Sequence, residues 1–171
     1  CYDKLPKDIQ PRLKDSLLFF LDSLSAQNYF LFAKYQAEAE ALLAENHDKA
    51  YYPQAEKDFA ALAEKYPQIS LVYEDWADFE LKKGDNDAAI KIANQGLQTL
   101  PLKEMERQDN FSHRPEIEAQ LIKFYGIIGT AYARKNDSDS ALGYYEKIIR
   151  ISPYYPQVYK KIADVYYQKG D

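Results

Sequence analysis

The sequence predicts an all-α chain of about eight helices. Three observations carry that expectation. Ala, Leu, Glu, Lys and Gln, the good helix formers, are frequent, whereas 171 residues hold only six Gly and eight Pro. Turn signals fall at regular places: Gly84-Asp85, Asn136-Asp137 and Gly170-Asp171 read as turns, and Pro67, Pro101 and Pro153 read as helix stops. Landmarks also recur at a fixed distance. Ala55 and Ala89, Pro67 and Pro101, and Tyr125 and Tyr159 each lie 34 residues apart. Ala89 to Ala141 and Pro101 to Pro153 are each 52, which is one period plus an insertion of 18.

The tetrapeptide YYPQ, at 51–54 and 154–157, is not the repeat unit. Its copies start 103 residues apart, one residue out of phase with three periods. Pro is favoured in the first helical turn, where its missing N–H has no intrahelical partner to lose. The motif therefore reads as a helix-start signal used twice: Pro53 opens one helix and Pro156 another.

Composition limits the function classes. Hydrophobic residues make up 46% and charged residues 29%, which fits a folded chain. Net charge is −5 and no basic patch is visible, so nucleic acid is disfavoured as a partner. The longest aliphatic-aromatic run, Leu17-Leu18-Phe19-Phe20-Leu21, is far short of the roughly 20 residues that cross a bilayer, and no signal peptide is expected in the chain as given. A single Cys precludes an internal disulfide or a cysteine metal cluster. That Cys is residue 1. It reads as the start of a fragment of a longer polypeptide, with the lipid-carrying first residue of a mature lipoprotein as the alternative.

Taken in order, residues 8–22 read as a short amphipathic helix and 25–46 as one long helix; 1–35 form an N-terminal helical cap. Tyr29, Phe32, Ala33 and Tyr35 give the long helix its apolar positions. Helices are predicted near 53–65, 70–83, 87–99, 115–135, 139–151 and 156–169. The insertion, 104–121, begins polar and turn-like. Pro115 then opens a helix a turn or more longer than its counterparts. Sixteen Tyr suit half-buried seams between helices, since the ring is apolar and its tip polar.

Residues 122–155 carry the most complete repeat: Tyr125-x2-Ile128-Gly129-x2-Tyr132, then Ala141-x3-Tyr145, then Pro153. Residues 156–171 repeat its first half as Tyr159-x2-Ile162-Ala163-x2-Tyr166. Residues 70–103 give Tyr73-x2-Trp76-Ala77, Ala89-x3-Ala93 and Pro101, with Glu80 where an aromatic is expected. Residues 36–69 keep the second half, Ala55-x3-Phe59 and Pro67, after a poor first half, Ala39-x2-Leu42-Leu43-x2-Asn46. The pattern resembles the tetratricopeptide repeat (TPR), over about residues 36–171. The resemblance implies antiparallel helix pairs, A and B, stacked into a right-handed solenoid. Ala77, Gly129 and Ala163 on A helices, and Ala55, Ala89 and Ala141 on B helices, would permit close approach. Trp76, Tyr125, Tyr145 and Tyr159 would fill the space between neighbours.

Motifs for chemistry are absent from the sequence. There is no phosphate-binding glycine loop, since Gly126 and Gly129 have the wrong spacing, and no HExxH. His47 and His113 are isolated and read as ordinary loop histidines, and carboxylates such as Glu74, Asp75 and Asp78 read as a solvated face. The sequons at Asn110 and Asn136 are assigned no role. No enzyme activity, cofactor or metal is expected.

What the resemblance implies instead is a groove lined by A helices that takes a protein or peptide ligand. Carried over position by position, it consists of Leu71, Glu74, Asp78 and Leu81, then Lys123, Gly126, Thr130 and Ala133, then Gln157, Lys160, Asp164 and Tyr167. Its earlier part is acidic. Its later part has a small-residue trough at Gly126, Thr130 and Ala133 beside Lys123 and Lys160, suited to an apolar side chain next to a carboxylate. Glu74 and Asp78 have the wrong sign for the Lys/Asn clamp of chaperone-binding TPR domains. The leading expectation is a non-enzymatic scaffold. The alternative is the soluble TPR tail of a larger membrane or envelope protein, similar to those of O-antigen ligase-like glycan polymerases. Helix 156–169, predicted without a B partner, is also expected to self-associate.

Overall fold

The computed structural model describes residues 33–39, 41, 49–102 and 114–170. They are helical throughout, joined by short turns, with no strand among the described residues. The expectations placed on 8–22, on Cys1, on Leu17–Leu21, on His47 and His113, on Asn110, and on the polar start of the insertion lie outside them. The chain divides into two compact units, Cys1–Glu64 and Lys65–Asp171.

In the first unit, residues 33–39 and 41 are helical, and a 3-10 turn at Lys49–Tyr51 leads into α1 (Tyr52–Lys65). Ala55, Phe59 and Leu62 recur at helical spacing and form the buried stripe of α1. Ala37 and Ala41 are buried in the other segment, and Gln36 Nε2 donates to Asp58 Oδ2 at 3.5 Å.

The second unit contains α2 (Ser70–Lys83), α3 (Asn86–Thr99), α4 (Pro115–Arg134), α5 (Ser138–Ile151) and α6 (Pro156–Lys169). The boundaries fall within one residue of those the sequence predicts. Each helix packs on the next, and α4 also packs on both α2 and α6.

The turn chemistry recurs with the sequence period. Gly84, Asn136 and Gly170 all take positive φ, +97°, +61° and +84°. After Gly84 the chain makes the double closure expected of a left-handed cap, with the Gly84 and Asp85 N–H groups both donating to Glu80 O, at 3.0 and 2.9 Å. The residue after each of the first two turns caps the next helix: Asp85 Oδ1 accepts from Ala88 N–H at 3.0 Å and Asp137 Oδ1 from Ser140 N–H at 3.1 Å. The tyrosines that open α2 and α6 behave alike. Tyr73 OH donates to Pro67 O at 3.2 Å, and Tyr159 OH to Pro153 O at 2.6 Å.

Close approach is real at Gly129, where an added Cβ would meet the Tyr145 ring at 2.6 Å. Ala77, Ala89 and Ala141 are fully buried. Ala163 is exposed, as are Tyr159, Tyr166 and Tyr167 on the same helix. Glu80, standing in an aromatic position, is buried. Trp76 Nε1–H donates to its Oε1 at 3.1 Å, and the Lys83 ammonium lies 2.6 Å from Oε2. Part of the insertion goes into α4, which has 20 residues where α2, α3, α5 and α6 have 14. Pro115 occupies its first position.

Candidate functional site

The second unit holds an open cleft of about 510 Å³. Its walls are α2 and α6, with α4 as the floor between them. Helical geometry explains the lining. Glu74, Asp78 and Leu81 are one turn apart along α2, and Lys123, Gly126, Thr130 and Arg134 follow the same spacing along α4, so each set shares one face. Ile148 of α5, Tyr155 and Val158 complete an apolar patch with Ile122 and Ile127. A smaller hollow of about 160 Å³ shares Thr130, Arg134 and Lys161 with the cleft and adds Ala133, Tyr145, Asp164 and Gln168.

Two glycines three residues apart on α4 do different jobs. Gly129 is buried against Tyr145, whereas the nearest atom to a Cβ on Gly126 is Ile148 Cδ1 at 4.0 Å. Gly126 thus leaves the cleft its depth, and Gly129 lets α5 approach. Thr130 donates its hydroxyl to Gly126 O at 2.7 Å, which holds the side chain against its own helix.

The acidic side of the cleft is neutralised from within. Glu74 is 5% exposed and pairs with the Lys123 ammonium across from α4. That hydrogen bond raises the Lys123 pKa, against a smaller opposing effect of burial. Asp78 pairs with Lys82 at 3.1 Å along α2. The opposite side carries Arg134, which donates to Leu81 O, and Lys161, which donates to Thr130 Oγ1 at 2.8 Å. Burial, then the neighbouring Arg134 guanidinium, lower the Lys161 pKa; the Asp164 carboxylate pulls weakly the other way.

Of the sequence-derived groove residues, Glu74, Asp78, Leu81, Lys123, Gly126 and Thr130 meet in the cleft, and Ala133 and Asp164 line the smaller hollow. Leu71, Gln157, Lys160 and Tyr167 line neither. On α6 it is Val158 and Lys161, each one residue later than a carried-over position, that enter the cleft. Sequence reasoning missed Lys161 and Arg134. The available signal was periodicity: Val158, Lys161 and Val165 share the inward stripe of α6, while Lys160 is exposed. No group of metal-ligating side chains occurs among the described residues, and no described helix is long and apolar enough to cross a membrane. No protein-family model matches the chain, and no curated protein matches it significantly.

Proposed function

We propose that the second unit is a TPR-like array whose cleft holds a segment of a partner protein, and that the chain is a non-enzymatic binding scaffold. The recurrence of left-handed turns, Asp caps and Tyr-to-Pro hydrogen bonds at the sequence period supports a repeat array. So does the packing of α4 on both α2 and α6, the neighbours expected when helix pairs stack.

The observation that carries the binding reading is the cleft. It is concave, about 510 Å³, floored by apolar side chains and rimmed by charge, and Gly126 keeps its middle open. A peptide segment suits it better than a small rigid molecule, since it is open to solvent and not enclosed.

The test is selection of a peptide-display library on the intact chain, followed by titration of the enriched peptides against Gly126→Trp. An indole at 126 would fill the cleft while leaving the Gly129–Tyr145 contact untouched. Loss of binding in a variant with unchanged helix content and melting supports the reading. Undiminished binding would move the site elsewhere.

A further inference from the structure

We propose that the outward face of α6 docks on the same face of a second copy of the chain, with the two helices antiparallel about a two-fold axis. The inference is independent of the cleft, which is lined by the inward stripe of α6.

Five large apolar side chains are exposed among the described residues, and four of them, Tyr154, Tyr159, Tyr166 and Tyr167, lie on α6 or just before it. Tyr159, Ala163 and Tyr166 follow one another at spacings of four and three and share one face, with Ile162 at its edge. Val158, Lys161 and Val165 point the opposite way, into the fold. Exposed aromatic surface gathered on one helix marks an interaction site, unlike single apolar residues scattered over a surface.

The neighbouring helix α4 shows what such a face accepts. Its residues one period earlier are Tyr125, Gly129 and Tyr132. All three are met by α5: Tyr145 closes on Gly129, and the Tyr144 ring lies 5.9 Å from that of Tyr125 and 5.8 Å from that of Tyr132. This face of α4 therefore takes a helix that brings a large side chain to the small residue at its centre. On α6 the corresponding small residue, Ala163, is exposed. Tyr159 is already held, since its hydroxyl donates to Pro153 O at 2.6 Å, so docking costs it little side-chain freedom.

Spacing and charge select a second copy as the occupant. The face reads alike in both directions. In an antiparallel pair whose axis passes between Ile162 and Ala163, Tyr159 lies level with Tyr166 of the second copy and Ile162 with Ala163 of the second copy. Each copy thus supplies the large side chain that the small residue of the other accepts. Lys160 and Asp164 are exposed on one flank of the stripe, one turn apart. A two-fold axis across antiparallel helices brings like flanks together, so each Lys160 meets Asp164 of the other copy, the reciprocal contact an isologous interface requires. Parallel docking would bring that flank against the one carrying Ile162 and Lys169, which offers no carboxylate. Exposed ion pairs add little strength, but they set orientation. One helix face on each side is a small contact, below the roughly 1,200 Å² of stable interfaces, so the dimer is expected to be weak and concentration-dependent.

The test is sedimentation equilibrium of the intact chain from micromolar to millimolar concentration, where a reversible monomer–dimer equilibrium is expected. Ala163→Glu should abolish association with helix content unchanged. Lys160→Glu should weaken it at least about threefold, and the exchanged pair Lys160→Glu/Asp164→Lys should restore it. Direction is read by disulfide trapping in a Cys1→Ser background. Tyr159→Cys chains should cross-link to Tyr166→Cys chains in preference to themselves, because two copies of position 159 are offset by about 10 Å along antiparallel helices. A monomer over the whole range would overturn the second copy as occupant and leave the face to a helix of different sequence. A dimer indifferent to Ala163→Glu would place the interface elsewhere and overturn the assignment. Preferential cross-linking of Tyr159→Cys with itself would overturn the antiparallel arrangement. None of these outcomes bears on peptide binding in the cleft.

Discussion

Four helical glycines make a series with opposite expected signs. Replacing Gly by Ala inside a helix stabilises by about 0.8–1 kcal/mol, because Gly loses more backbone freedom on folding. Gly126 and Gly143 should return that gain in full: one has only Ile148 Cδ1 at 4.0 Å, the other nothing within 4 Å. Gly129→Ala places a methyl 2.6 Å from Tyr145 Cε1 and 2.9 Å from Cδ1. Tyr145 is 2% exposed, so the ring cannot swing into solvent. Overpacking of a closed core costs about 1–3 kcal/mol, which outweighs the helix gain and leaves a net loss of about 1 kcal/mol. Gly96→Ala should be worse, about 2–3 kcal/mol. Its Cβ would lie 2.4 Å from the buried Phe124 ring and 2.8 Å from Tyr73 Cβ, an atom too near the α2 backbone to yield. Urea unfolding followed by fluorescence of Trp76, the single tryptophan of the chain, reports on the second unit directly. The expected stability order is Gly126→Ala and Gly143→Ala above the parent, then Gly129→Ala, then Gly96→Ala. If Gly129→Ala were as stable as Gly126→Ala within about 0.5 kcal/mol, close helix approach would not be what requires glycine at 129.

Asp85→Ala should destabilise by about 1 kcal/mol through loss of the cap to Ala88, and Asp85→Asn by clearly less, measured in the same assay. Asp137 has its pKa lowered by the Ser140 hydroxyl and then by the Ser140 N–H, so its contribution is present above the ordinary carboxylate pKa and lost as pH falls through the depressed value. Ser140→Ala should therefore flatten the acid limb of the stability curve, and an unchanged limb would remove Ser140 as the cause. Lys123→Met strands the buried Glu74 carboxylate and should cost about 1 kcal/mol, with part recovered in the Lys123→Met/Glu74→Gln double variant. Because the Lys123 pKa is raised by Glu74, the pair's contribution is complete at neutral pH and disappears as pH climbs past the ordinary lysine value through the raised one.

Helix boundaries were legible because the residues that set them act locally. Pro115 and Pro156 open helices, and Gly84, Asn136 and Gly170 close them by accepting a left-handed backbone. None of these needs a tertiary partner to be recognised. The extra length of α4 was legible for the same reason. Electrostatic pairing was not. Glu74 reads in sequence as one of three acidic residues on a solvated face, yet it is buried and held by Lys123, 49 residues away. Nothing local reports that neighbour. Glu80, which breaks the aromatic pattern, is likewise explained only by Trp76 and Lys83 once α2 is coiled.

The choice between Lys160 and Lys161 turns on one residue, and it decides the chemistry of the cleft. Position 160 points to water, where an ammonium is fully solvated and gains little from any ligand. Position 161 lies on the Val158–Val165 stripe, so its charge is carried to the edge of the apolar patch and only half-hydrated. The acidic wall differs, since Glu74 and Asp78 hold cations of their own chain. The cleft cations that bond to a carbonyl and a hydroxyl instead of a carboxylate therefore lie on the α4–α6 side, although the acidic residues of α2 are the more conspicuous in the sequence.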